Sequence, residues 1–480
     1  MSSLVYMKSK KGDVIYVYQN DKEEDGSYTR RCIGHLDPVT GEIIPNRPKA
    51  EVAKAHIRSY GVNMLLRDIS DSIGLTESLK ITFRDTWDSI LSCAFYCLTE
   101  DSPLTEMEQW MRFNETPRMW PLGFDDMMSI MKMITKKDVE SFFRVWMKRA
   151  GEERFVISLL SVDRKVEKVS KMDFERVFSS EIEFCYGERT GLPIAYNIQP
   201  IAFNNITTLF SGSDRFEWVD SDNSAYAIEA TLCNEIGLDS FIKVGAKHSI
   251  EVPSDENLFR IAMDGTKLDE AYDSPQVTTV TNENIGKTAH LHILYDPKRA
   301  ESEISRFLNI INRCRVELIN RRYVMSHSPL YRKYFIDISP GHVELNSEEI
   351  MRANRSAGFR VFISSFSDDA EDTIKWFMHN DRSREMLENT YNSADMSAMK
   401  LFLQANMESR LFIQFIAIIL NNALEARMQE AGMKGRTVHS VLYSMKRMMR
   451  VNVDRRMNPL MTDIDDEQQE ILDLLIARVR

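Results

Sequence analysis

Apolar positions recur along this chain in patterns that predict two kinds of element, helix and strand. From Leu411 to Leu420 the apolar run is broken only by Gln414. Such a run is too short for a bilayer, which takes about 20 residues, so it predicts a helix buried in a large core. The charged segment RSREMLENTY (382–391) precedes it and predicts a helix docked on that core. Helical spacing recurs at Trp87, Ile90, Leu91, Ala94, Phe95 and Leu98, with Asp85 as a cap, and at Val139, Phe142, Phe143 and Trp146. Elsewhere the period is two. Val14, Tyr16 and Tyr18 share one face of a strand and Ile15 and Val17 the other, with turn signals at Asp25-Gly26 and Asp37–Gly41.

The texture changes at Phe155. FVISLLSV reads as a strand, and FCYGERTGLPIAYNI as a hairpin turning at Glu188–Gly191. In FEWVDSDNSAYAIEATLCNEIGLDSFIKV, the pattern predicts a strand at EWV, an acidic turn, a helix from Ala225 and a further strand. Residues 245–300 are strand-rich, 299–335 form a long basic amphipathic helix and a loop, and GFRVFISSF returns as a strand. This order predicts an α/β core with an insertion. The boundaries fall at a small β-hairpin domain (1–49), a helical domain (50–150), the first half of the core (151–245), a β-rich and helical insertion (246–357), the second half of the core (358–430) and a basic then acidic helical tail (431–480).

Composition changes this picture little. The 480 residues, 43% hydrophobic and 28% charged, can bury a large core without disulfides. The six cysteines are scattered apart from Cys93 and Cys97, the pattern of reduced cytosolic thiols; a zinc site would need a second close pair, and none is present. No signal-like stretch opens the chain, so a cytoplasmic protein without a membrane role is expected. The net charge of −11 argues against a generic nucleic-acid surface. Basic strips nevertheless run from Arg313 to Lys333, including Arg321 and Arg322, and from Lys434 to Arg456, including Lys446, Arg447 and Arg450. Lys10, Lys11, Arg30 and Arg31 lie at the edge of the first domain.

The segments RRCIGHLDPVTGEIIPNR, WDSILSCAFYCLTED, VESFFRVWMK, TGLPIAYNIQPIAFNNITTL, LHILYDP, SPLYRKYF, RSREMLENTY and ESRLFIQFIAIIL, taken in order, resemble DDE transposases of prokaryotic insertion sequences. The resemblance covers nearly the whole chain. It implies a ribonuclease-H-like core interrupted by a β-rich insertion, with DNA-end binding by the first domain and DNA binding or dimerisation by the second. It also implies an Asp-Asp-Glu triad holding two Mg2+ or Mn2+ ions, double-stranded DNA with inverted-repeat ends as partner, and a homodimer. Two divalent ions activate one oxygen and stabilise the other in phosphodiester cleavage, and hard carboxylate ligands suit them. Carried over residue by residue, the glutamate falls on Glu388, with Arg382 and Arg384 matching its neighbours. The second aspartate falls on Asp220 or Asp222. Ser158 stands at the first aspartate, with Asp163 and Asp173 as nearby carboxylates. The resemblance therefore implies either a DDE transposase or a catalytically inactive, transposase-derived factor that binds DNA or protein.

Overall fold

The computed structural model describes residues 3–9, 12–22, 28–46, 55–100, 104–166, 176–199, 216–220, 222–230, 247–254, 256–265, 275–280, 290–339, 342–365, 368–392, 407–433, 435–453 and 458–476. The predicted Asp25-Gly26 turn, Lys10, Lys11, Asp173 and Cys233 lie outside these residues.

The chain divides into two units, Met1–His56 with Val451–Leu460, and Ile57–Arg450 with Met461–Arg480. In the smaller unit, β1 (Ser3–Lys8), β2 (Ile15–Lys22), β3 (Tyr28–Leu36) and β4 (Ile43–Pro45) form an antiparallel meander in that order. Its alternating pattern folds as read, with Val17 fully buried. The Asp37 carboxylate closes the second turn by accepting from the amides of Val39 and Thr40, and these bonds hold its pKa below the usual range.

The larger unit is mixed α/β. Following β5 (Ala55–Ser59), its strands are β6 (Phe155–Val166), β7 (Arg176–Gly187), β8 (Pro193–Gln199), β9 (Ser224–Ile228), β10 (His248–Val252), β11 (Gln276–Val280), β12 (His290–Tyr295), β13 (Phe335–Ser339), β14 (His342–Leu345) and β15 (Phe359–Ser364). One eight-stranded sheet has the order β11-β12-β15-β10-β9-β6-β7-β8. Strands β6, β7 and β8 are antiparallel, β9 and β10 run parallel to β6, and β15, β12 and β11 extend the edge antiparallel. Part of the segment read as an insertion therefore builds the same sheet. The rest, from Pro297 to Arg355, is a helical hairpin with its own small core of Ile311, Cys314, Leu318, Tyr331, Tyr334 and Phe335.

Two helices cover one face of the sheet. The charged helix extends from Ala370 to Asn392, twelve residues earlier than its charge pattern marks at Arg382. It packs Phe377 on Phe362 (4.6 Å between ring centres), and its Ser383 hydroxyl lies 3.0 Å from that of Tyr186. The apolar helix Met407–Glu430 follows, with every residue from Leu411 to Leu420 buried. Its segment from Glu408 is long and apolar enough to cross a membrane, but 78% of that window lies inside the protein. Phe412 meets Phe83 and Phe142, each at 5.1 Å, and Phe415 meets Phe143 at 5.4 Å, so the predicted aromatic stripes are packing.

Two readings need correcting. The helix Trp87–Thr99 is not capped by Asp85: its N-cap is Thr86, whose side chain makes no capping bond. EWV is not a strand and Ala225 does not start a helix. Residues 217–218 and 222–223 are turns, and Ser224–Ile228 is strand β9. The second turn is made by side chains. Asp220 accepts from the amides of Asp222 and Asn223 (2.9 Å each), and Asn223 accepts from the Asp220 amide (2.8 Å). Asp and Asn favour such turns because their short side chains bond the local backbone. SAYAI is buried at every position, as a central parallel strand is on both faces, so it shows no alternation to read.

Candidate functional site

Strand β9 ends at Ile228 between β6, which continues to Val166, and β10, which continues to Val252, and side chains there converge with the Ala370–Asn392 helix. The register sets Ser158 opposite Ala227, Leu159 opposite Ile228, and Ile250 opposite Ile228. Glu229, just beyond β9, and Glu251, the penultimate residue of β10, are therefore neighbours near the carboxyl ends of adjacent strands. Clefts at such ends are where open α/β sheets place their ligands.

Ser158 is fully buried. Its hydroxyl lies 3.4 Å from the Ala227 carbonyl and accepts a hydrogen bond from the Asn380 amide of the covering helix. Strand and helix thus meet here through two neutral groups.

Charge appears one step further along. Glu229, 4% exposed, is ion-paired with Arg384 of the same helix. Arg384 also reaches Asp381 at 3.2 Å. Arg360 on β15, 4% exposed, holds Glu251 through Nε (2.6 Å) and Nη2 (3.1 Å), and Asp381 through Nη1 (2.6 Å). Its flat, forked guanidinium suits this bridging of two carboxylates. The cluster holds three carboxylates, Glu229, Glu251 and Asp381, against two guanidiniums, Arg360 and Arg384, which leaves one excess negative charge (3 − 2 = 1).

The proton equilibria follow from this excess. Burial pushes the Glu229 pKa up to about 7; Arg384 opposes the shift, and the negative charges of Glu251 and Asp381 reinforce it. The close Arg384 contact alone would point the other way, but a carboxylate this deeply buried among like charges is governed by desolvation. Glu251 is buried too, yet the Arg360 charge and hydrogen bonds outweigh desolvation and hold its pKa below the usual range. The same partners hold the Arg360 guanidinium charged against its own burial. A proton on Glu229 brings the cluster to neutrality.

The residues expected from the sequence fall in several places. Asp220 and Asp222 are exposed in the turn that enters β9, at the opposite end of that strand from Glu229. Asp163 lies on β6, opposite Ser179 of β7. Glu388 lies in the Ala370–Asn392 helix, one turn beyond Arg384; its side chain is outside the described residues. Arg382 pairs with Glu425 of the apolar helix. Lys446 pairs with Glu100 (2.6 Å), Arg447 with Glu467 (3.0 Å) and Asp465 (3.2 Å), and Arg450 with Glu115 (2.8 Å). Among the described residues of the C-terminal basic strip, Arg436, Lys446, Arg447 and Arg450 are thus occupied by the protein's own acids; Lys434, Arg455 and Arg456 lie outside the described residues. Arg30 is hydrogen-bonded to Asn20 on the neighbouring strand, and Arg31 is exposed. Arg321 and Arg322 are exposed at the tip of the helical hairpin; among the described residues neither side chain has an ion pair. Sequence reasoning missed Glu229, Glu251 and Arg360. The available signal was an acid directly after a short apolar run, SAYAI-E and HSI-E, which marks a strand end only once the strand is recognised.

A scan against protein-family models and a search of curated proteins find no match for this chain.

Proposed function

We propose that this chain is a transposase-like protein that binds double-stranded DNA through its helical hairpin, and that its ribonuclease-H-like core is closed by arginines in place of metal. The core reading is supported by the strand order β8-β7-β6-β9-β10, with three antiparallel strands followed by two parallel to the first. That is the order a ribonuclease-H-like sheet requires, and a helix carrying Arg382, Arg384 and Glu388 lies across it.

One observation carries the absence of cutting. Glu229 ends the parallel strand, where the family's second carboxylate belongs, and its partner from the facing helix is Arg384. Two divalent ions need several uncommitted anionic oxygens. Here Ser158 brings no charge, Glu251 is held twice by Arg360, and Glu229 is paired with Arg384. The described residues do not fit a pair of Mg2+ or Mn2+ ions.

DNA binding is supported by where cations remain uncommitted. Arg315, Arg321, Arg322 and Arg332 of the hairpin are exposed and, among the described residues, carry no ion pair. Phosphate contacts need such free cations. A homodimer bound to paired DNA ends belongs to the same reading. The test is duplex binding at graded salt, with nicking assayed in Mg2+ and Mn2+. Salt-sensitive binding without nicking is the expected outcome. Metal-dependent nicking that disappears in Glu388→Gln would overturn the non-cutting reading, and no duplex affinity at low salt would overturn DNA binding.

A further inference from the structure

We propose that the helical hairpin contains a binding site for one zinc-class divalent ion, with Cys314, Glu317 and His327 as its ligands. The site lies away from the carboxylate cluster of the sheet and does not depend on the DNA-binding reading. Its construction begins with helical spacing. Cys314 and Glu317 are three residues apart and lie on one face of the helix Pro297–Ile319. That face is turned toward the hairpin's small core, where Cys314 is fully buried.

The chain then reverses sharply. Arg321 takes a left-handed conformation (φ 54°), and the Arg322 amide bonds back to the Glu317 carbonyl at 2.9 Å. The 3-10 turn Met325–His327 brings the His327 ring back against the helix. Its Nδ1 lies 2.8 Å from Glu317 Oε2, and the thiol, carboxylate and imidazole donor atoms all lie within 4.8 Å of one another. Bond lengths of about 2.0–2.3 Å to zinc place tetrahedral ligands roughly 3.5 Å apart, so small side-chain rotations complete the site.

The donor types select the metal. One sulfur, one imidazole nitrogen and one carboxylate oxygen suit zinc or cobalt, whereas magnesium takes oxygen alone. A divalent cation bound here takes the place of the Cys314 thiol proton, because a metal-bound cysteine is a thiolate. The surroundings also steady the carboxylate. Tyr331 donates to Glu317 Oε2 at 2.6 Å, and Arg313 lies 3.5 Å from Oε1. Such outer partners orient metal ligands. Three protein ligands leave a fourth position for water.

Cysteine spacing does not reveal this site, because it uses one cysteine and draws its other ligands from one helical turn onward and from the returning loop. The test uses the untagged full-length chain, stripped with a chelator. Zinc is counted by elemental analysis, and cobalt binding is followed by the thiolate-to-metal charge-transfer band. The expected result is one metal per chain with a cobalt–thiolate band. Cys314→Ser should abolish the band, and both it and His327→Gln should weaken zinc binding by at least ~10-fold, the lower end of what losing even an outer partner costs. Cys32→Ser, in the other unit, should leave binding unchanged. His327 is partly exposed, so its variant serves if Cys314→Ser fails to fold. No stoichiometric zinc or cobalt on the parent chain, a band that survives Cys314→Ser, or full zinc affinity in His327→Gln would overturn the site.

Discussion

The buried carboxylate at the end of β9 makes stability depend on pH in a defined direction. Glu229 has a folded pKa of about 7 against an ordinary 4.5. Between those values the folded state holds a proton that the unfolded state has released, so stability falls as pH rises through this window and levels off above it. The full gap corresponds to about 3 kcal/mol at about 1.36 kcal/mol per pKa unit. Glu229→Gln keeps the shape and removes the titration. The variant should gain stability relative to the parent by about 2 to 3 kcal/mol between pH 5 and 8. Urea unfolding of both proteins at several pH values, followed by near-ultraviolet circular dichroism, gives the difference directly, because all other titrating groups are shared. A difference that stays constant from pH 5 to 8 would mean that Arg384, rather than burial, governs this carboxylate.

The other expectations concern the same elements. Arg360→Met leaves Glu251 buried without its cation and should cost about 3–5 kcal/mol in urea unfolding at neutral pH, whereas the double variant with Glu251→Met should recover much of the loss. Recovery of nothing would show that Arg360 acts through Asp381 or packing instead. Phe412→Ala, which opens a hole between Phe83 and Phe142, should cost about 3–5 kcal/mol by the same measurement. Replacing Arg321 and Arg322 by Glu should weaken duplex binding and flatten its salt dependence by roughly 0.9 logarithmic units per lost phosphate contact. Arg447→Glu, whose parent side chain already faces Asp465 and Glu467, should leave DNA affinity unchanged; a comparable loss there would relocate the DNA surface to the C-terminal strip.

Elements with a strong period were legible in the sequence. The hairpin of β7 and β8 turns where Glu188–Gly191 marks it, with the Gly191 amide bonding back to the Gly187 carbonyl. The Leu411–Leu420 run is a core helix, and the stripe of Phe142, Phe143 and Trp146 is packing. Strand β9 was not legible, because a strand covered on both faces has no alternation and SAYAI is short and rich in alanine. With that strand misread, the candidate carboxylates were sought at Asp220 and Asp222, at the opposite end of the strand from Glu229.

What the sequence alone determined, then, is local: which segments are helical, where the sharp turns fall, and that a charged helix precedes an apolar one. These follow from side-chain period and turn chemistry within a few residues. Which charges meet was decided only by the tertiary structure. Arg360 lies 109 positions from Glu251 and 21 from Asp381, yet its guanidinium lies 2.6 Å from each. Likewise, the basic residues near the C-terminus read as a free strip until folding brings Glu100, Glu115 and Glu467 against them. Coulomb energy depends on distance and burial, and neither is written in the spacing of residues along the chain.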